Sequence, residues 1–533
     1  MDRVNHPKAV STLFAAFAAF SLIVLPATGL PPGNLPPVPS TVESITPAEL
    51  RMHLEFLASD ELGGRYTLAP NFAISARYLA SHLKAYGFRG GAANGGYLQS
   101  FDVVSTKTDP AKTSLSLTIH GQKTTFGFDE IFVQALVEGT ADGQIAFAGY
   151  GISSPAQKHD DYAGLDVKGK IVLLAQGIPE GIDRSKLGEN EQDAGAAKAH
   201  GAAGILVIPS RRFSDFLRDP NNRERLSRRE IVRLAAPSGQ NLPAVALGPD
   251  LAEKALASLG LDLSAIQDSM QKHAQLTPKM LDASAHIAIA VQQTHTNTQN
   301  VVGILEGADS QLKDQYVVLS AHYDHLQTSP KGEIFHGADD DGSGTTAVLS
   351  LAHAFSLNHP KRSIMVIFHA GEELGLLGSE YNTDVAPAVP LGNLLVDLNI
   401  DMIGRSKPAG DTAKEDEHLT DANTVYLVGS NRISKELHKL SEETNSDYQK
   451  LKLDYYYNDP ANPENIYYRS DHWNYAKHNI PVIFYFDGTH VDYHRPSDTV
   501  DKIDFEKLTK ITRLVFETGW RIANLDHRLS KDN

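Results

Sequence analysis

The 533-residue chain contains no cysteine, which excludes a thiol nucleophile, cysteine-ligated zinc, disulfide staples and a lipid-modified amino-terminal cysteine. Two familiar hydrolase signatures are missing as well. No Gly-x-Ser-x-Gly elbow occurs, so nucleophilic serine catalysis finds no support. No His-Glu-x-x-His pair stands ready to hold zinc on a single helix. Positive charge is in deficit: 49 Lys and Arg face 65 Asp and Glu, a net charge of −16. That balance disfavours nucleic acid and anionic membrane surfaces as partners.

What is present reads as an ordinary globular composition, 41% hydrophobic and 21% charged, with enough length for at least two substantial cores. Arg3 and Lys8 precede an apolar run from Ala9 to Leu25, followed by Pro26-Ala27-Thr28-Gly29. This is the pattern of a signal peptide over residues 1–29, with a Pro-rich linker over 30–42. The alternative is an uncleaved anchor, since about 17 apolar residues sit at the lower limit for spanning a bilayer. Cleavage implies an exported protein, periplasmic or extracellular, without stable membrane insertion afterwards.

Thr46-Pro47 opens a helix, with Thr46 as cap and Pro47 in the first turn, and Leu50, Leu54 and Leu57 recur at helical spacing. A second helix is expected from Asn71 to Tyr86, stopping at Gly87. Between them, Asp60-Glu61-Leu62-Gly63-Gly64-Arg65 reads as a turn with solvated charges. From 105 to 291 the texture changes to short strands and turns, including Leu115–Ile119, Gln144–Ala148, Lys170–Leu174 and Gly204–Ile208. Within it, the charge-rich span Arg211–Arg233 reads as a solvated helix or loop. Three ordered stretches of this segment, Asp160 to Leu173, Lys198 to Ile205 and Leu242-Pro243-Ala244-Val245, resemble a protease-associated (PA) domain. The resemblance implies a non-catalytic insert that covers or shapes the active site of a host peptidase.

The flanking segments, 43–104 and 292–533, would then form one host domain. From Asn300 onward strands and helices alternate, the pattern of an α/β fold with a mixed, mainly parallel sheet and helices on both faces. In such sheets ligands bind beyond the carboxyl ends of the strands, and five polar clusters fall at those ends. His322 follows the strand-like run Val317 to Ala321, with Asp324 two residues on, where a carboxylate can fix the tautomer of a ligating imidazole. Asp339-Asp340-Asp341-Gly342-Ser343-Gly344 fails the EF-hand register, because Gly342 at the invariant glycine would put Gly337 and Val348 at ligand positions. It reads instead as a turn into a helix, with one Asp directed at a metal and the others capping. Glu372 and Glu373 follow the strand Ser363–His369, so that one carboxylate can bind metal while its neighbour faces a substrate as a base. Asp401 ends the strand Leu394–Ile400, and Tyr493-His494 follows the run Pro481–Phe486. Two imidazoles and three carboxylates suit two zinc ions sharing a bridging carboxylate.

The order His-x-Asp, Gly-Ala-Asp-Asp-Asp-Gly-Ser-Gly, Gly-Glu-Glu-Leu-Gly, Asp-Met-Ile-Gly, Ser-Asp-His and Tyr-His-x-Pro-Ser-Asp-Thr resembles peptidase family M28, di-zinc aminopeptidases of the zinc-exopeptidase fold. The resemblance implies two Zn2+ per chain. His322 and Asp401 would hold one ion, Glu373 and His494 the other, and Asp340 would bridge them. Glu372 would be the general base for a zinc-activated water, and Asp324 would support His322. It further implies a cis peptide at Asp340-Asp341 and a role for Tyr493 in hydrogen-bonding the tetrahedral intermediate. Ser470-Asp471-His472 matches a motif without metal ligands, and His336 has no assigned role.

The activity so implied is a secreted aminopeptidase acting on peptides, with oligomeric state left open. Alternatives on the same scaffold are a carboxypeptidase, a dipeptidase or a glutaminyl cyclase. A different class is a non-catalytic, receptor-like binding ectodomain, against which the complete ligand set argues. The aromatic stretches Tyr455-Tyr456-Tyr457 and Tyr467-Tyr468-Arg469 either line the substrate pocket or pack as buried aromatics.

Overall fold

The computed structural model describes residues 35–134, 136–227, 230–235 and 242–532. The expected leader over 1–29, and the linker up to residue 34, lie outside these. Among the described residues no helix is long and apolar enough to cross a membrane.

Three strands, Tyr316–His322, Ser363–His369 and Leu394–Ile400, are buried along their whole length. Strands buried at every position require both faces of the sheet to be covered. They lie side by side in parallel at the centre of a ten-stranded mixed sheet and are joined in parallel by Val482–Phe486. Antiparallel pairs flank this centre, through Val291–Leu305 and Leu98–Thr108 on one side and Thr424–Val428 on the other. Alternate residues feed two cores. Val317, Leu319 and Ala321 pack with helices Pro47–Leu57, Gly342–Ser356 and Phe505–Asn524, while Tyr316 and Val318 join Tyr475, Phe484 and Phe486 on the opposite face. The period-two alternation of a strand thus splits one sequence run between two layers.

Strands drawn from between residues 114 and 289 build a second, eight-stranded sheet with its own apolar cluster around Leu115, Ile145, Leu173, Leu206, Val245 and Ile287. The chain leaves for this sheet along Leu98–Thr108 and returns along Val291–Leu305, which pair in register from Thr108↔Val291 to Leu98↔Val301. The charge-rich span differs from its expectation. After helices Arg211–Arg218 and Pro220–Ser227 it ends in a strand, Glu230–Leu234, paired antiparallel to Leu98–Thr108 at the edge of the large sheet. Val232, 7% exposed, supplies the apolar anchor that the surrounding arginines hide from a charge count.

Candidate metal centre

Every strand of the parallel centre contributes to one cluster at its carboxyl end. His322 is the last residue of its strand, Glu372 and Glu373 follow Ser363–His369, Asp401 follows Leu394–Ile400, and His494 comes from the loop after Val482–Phe486. Asp340 enters from the turn before helix Gly342–Ser356, and its peptide bond to Asp341 is cis.

Asp340 faces two ways. Its Oδ1 lies 3.3 Å from His322 Nε2, which is also 3.5 Å from Asp401 Oδ1. Its Oδ2 lies 3.1 Å from His494 Nε2, which is 3.1 Å from Glu373 Oε2. His325 adds its Nδ1 at 2.7 Å from Glu373 Oε1. Candidate ligand atoms of His322, Asp340 and Asp401 all fall within 4.8 Å of one another, as do those of His325, Asp340 and Glu373.

Asp340 Oδ2 is buried and has no hydrogen-bond partner, although two imidazoles are close. An orphaned carboxylate oxygen carries a cost of about 1–3 kcal/mol or more, which a bound cation removes. Electrostatics points the same way. Burial by itself would push Asp340 up, but His325, His322 and His494 hold its carboxyl well below the ordinary range. Burial would depress His322, yet Glu372, Asp401, Asp324 and Asp340 hold it well above its usual value. His494 is raised to about 10 against its burial by the neighbouring carboxylates of Asp340 and Glu373. Mixed nitrogen and oxygen donors of this kind suit zinc.

Glu372 is distinct. Burial, helped by Glu373, Asp401 and Asp471, raises its carboxyl well above the usual value, and its Oε2 lies 3.9 Å from His322 Nε2. It lines a cavity of about 40 Å3 together with Asp340, Asp401, Arg469, Tyr493 and His494. The Tyr493 ring stacks on His494 with centroids 3.9 Å apart, and burial keeps its hydroxyl protonated.

A surrounding layer holds the cluster. Asp324 places its carbonyl oxygen 3.2 Å and its Oδ1 3.7 Å from His322 Nδ1, accepts from Thr67 Oγ1 at 2.7 Å, and accepts the Glu372 amide at 3.2 Å. Asp341 Oδ1 caps the helix through Gly344 N at 2.8 Å and also accepts Met402 N at 3.2 Å. Asp339 and Asp340 donate their amides to Asp498 Oδ2 at 3.0 and 3.2 Å, so the Pro-Ser-Asp-Thr motif anchors the acidic turn. Ser470, from the Ser-Asp-His motif, donates to Asp401 Oδ2 at 2.7 Å.

Sequence reasoning passed over two residues here, His325 and Arg65. Arg65 is not solvated: it is 1% exposed and donates to the carbonyls of Tyr323, Leu57, His336 and Gly337 at 2.6–3.1 Å. Its signal was the glycine pair before it, since Gly64, at φ +94°, sits where a Cβ would meet the carbonyl oxygen of Phe335 at 2.8 Å. His336, given no role, bonds Asp60 Oδ1 through Nε2 at 2.7 Å. Of the aromatic stretches, Tyr457 and Tyr467 are buried packing residues, and Arg469 reaches the cavity.

Sheet and site define an α/β protein with a metal-type centre at its strand ends. Residues 300–519 match the model of peptidase family M28. The chain is 26% identical over 241 residues to aminopeptidase YwaD of Bacillus subtilis, covering 45% of this chain and 41% of that one. It is 35% identical over 119 residues to a probable zinc metalloprotease of Pyrenophora teres, covering 22% and 25%. The match thus spans about two fifths and one quarter of those relatives' lengths. A solved aminopeptidase from Aneurinibacillus sp. strain AM-1 shares the fold, with a TM-score of 0.52 at 17% identity over 92% of this chain and 97% of that one. His322, Asp340, Glu372, Glu373, Asp401 and His494 all lie within the stretch that matches that family model.

Proposed function

We propose that the protein is a zinc-dependent exopeptidase, an aminopeptidase releasing N-terminal residues from peptides. The observation that carries this reading is Asp340, whose two oxygens face separate imidazole and carboxylate pairs. His322 and Asp401 would hold one zinc, Glu373 and His494 a second, with Asp340 between them. When bound, the ions supply Lewis acidity, drawing charge from oxygen and lowering the pKa of water.

The protein's own groups handle the protons. Glu372 Oε2 takes a proton from water as the water oxygen bonds to the peptide carbonyl carbon. The same carboxyl returns that proton to the amine nitrogen as the C–N bond breaks. Asp324, accepting the Glu372 amide, keeps the carboxyl aimed into the cavity. Tyr493, protonated and on the cavity wall, donates its hydroxyl to the carbonyl oxygen as negative charge develops there. The similarity to aminopeptidase YwaD supports action at a free N-terminus.

Arg469 favours a second reading. It is exposed and lines the same cavity, where a cation could hold a C-terminal carboxylate, as a carboxypeptidase or dipeptidase requires. Zinc analysis combined with chromogenic aminoacyl substrates, N-blocked peptides and dipeptides separates these. Cleavage confined to free N-termini supports the aminopeptidase, turnover of N-blocked peptides supports the alternative, and neither zinc nor hydrolysis supports a binding ectodomain. The separate sheet and core of residues 114–289 support the reading of 105–291 as an inserted PA domain, and the leader pattern supports export.

A further inference from the structure

His325 stands three residues beyond His322, is fully buried, and has no part in the scheme above. Its ring is held from several sides. The backbone amide donates to Arg65 O at 3.2 Å, and the residue pairs with Tyr66 in an isolated bridge. The His494 ring meets it edge-on with centroids 5.7 Å apart. Gly337 closes the remaining side, where even a Cβ would lie 2.6 Å from the imidazole. In this cage Nδ1 points at Glu373 Oε1, and Nε2 is buried without a hydrogen-bond partner.

Distances decide what the ring does. Two ligands of a tetrahedral zinc, each about 2.0–2.1 Å from the ion, sit roughly 3.3 Å apart. The pairs His322–Asp340, His322–Asp401, His494–Asp340 and His494–Glu373, at 3.3, 3.5, 3.1 and 3.1 Å, match that spacing. His325 Nδ1 does not, being 2.7 Å from Glu373 Oε1 and 3.7 Å from Asp340 Oδ2. The first is the length of a hydrogen bond to a carboxylate, shorter than two ligands of one tetrahedral ion allow, and the second exceeds all four ligand pairs.

Building on the zinc reading above, we propose that His325 is a positioning residue for Glu373. Its Nδ1–H occupies Oε1, so Glu373 offers Oε2 alone to the ion it shares with His494 and Asp340. The usual arrangement, a carboxylate orienting a ligating imidazole, is reversed here. An imidazole orients a ligating carboxylate and restricts it to one oxygen.

The test uses the full chain and zinc binding followed by competition with a chromogenic chelator. Wild type is expected to bind two zinc ions. His325→Ala should weaken one of them by roughly 10–100-fold and leave the other near wild type. His325→Asn, whose amide nitrogen falls near the position of Nδ1, should restore that ion to within a few-fold. His325→Gln, whose amide nitrogen falls near Nε2, should not. Equal affinities in all three variants would overturn the proposal. So would an Asn variant as weak as Ala, which would make the ring a direct ligand or a space filler. Should the alanine variant fail to fold, the Asn and Gln pair decides by itself. A wild-type chain that takes up no second zinc would overturn the two-ion reading and, with it, the role of His325, an outcome visible before any variant is made.

Discussion

Arg65 Nη2 donates to the carbonyl oxygen of Gly337 at 2.8 Å, across 272 residues of sequence. The same guanidinium holds the carbonyls of His336 and Tyr323, so an amino-terminal loop locks both the acidic turn before Asp340 and the strand end after His322. Lysine cannot reproduce that planar fork. Arg65→Lys should destabilise the zinc-free protein by about 3 kcal/mol, since several buried carbonyls lose charged donors, and should weaken zinc binding. Denaturant midpoints with and without zinc read both effects, and an unchanged midpoint would refute the clamp.

Glu372 lines the cavity, but no close imidazole holds its carboxylate as His325 and His494 hold that of Glu373. Glu372→Gln should therefore keep its zinc while kcat falls by about 10²–10⁴-fold. Elemental analysis of the variant beside its turnover makes the comparison, and near-normal kcat in the loaded variant would exclude Glu372 as the base.

Asp340 and Asp401 should behave differently when neutralised. Because the two oxygens of Asp340 face His322 and His494 separately, Asp340→Asn should lower the affinity of both zinc ions. Asp401 faces His322 alone of these two, so Asp401→Asn should affect one. Titration with a chelator resolves the two cases, and identical losses would show that the ions do not share Asp340.

Asp397 lies beneath the site, fully buried, with Ser320 Oγ donating to it at 2.6 Å, and burial pushes its carboxyl up to about 8 from 3.8. The folded state thus keeps a proton that the unfolded chain releases between those values. Stability from this group is fully present below the unfolded value and is lost as pH rises through the folded one. Asp397→Asn removes the linkage, so the variant should gain on wild type by a few kcal/mol between pH 4 and pH 8. Tm measured across that range checks the sign, and a constant difference would show that Asp397 titrates normally.

Much of the centre was legible because a parallel strand buried on both faces must end in a loop, and loops at that end meet. His322, Glu372, Glu373 and Asp401 each follow a largely apolar strand run, so their convergence could be anticipated from the chain alone. Arg65 could not be read in this way. An arginine after two glycines is solvated in most loops, and only the carbonyls of residues 57, 323, 336 and 337, arriving from three other segments, make its burial favourable. The strand Glu230–Leu234 was hidden for a related reason, since its pairing partner stands 120 residues and more upstream.

His325 shows where the boundary falls. The residue types able to hold metal, the turn that presents Asp340 and the strand ends that carry the other ligands follow from local pattern, because period, capping and burial act over a few residues. Whether an imidazole binds an ion or steadies the carboxylate beside it depends on differences of about half an ångström between side chains far apart in the chain. Those distances are set by the packing of Gly337, Tyr66 and His494 around the ring, and by nothing in the order of residues near it.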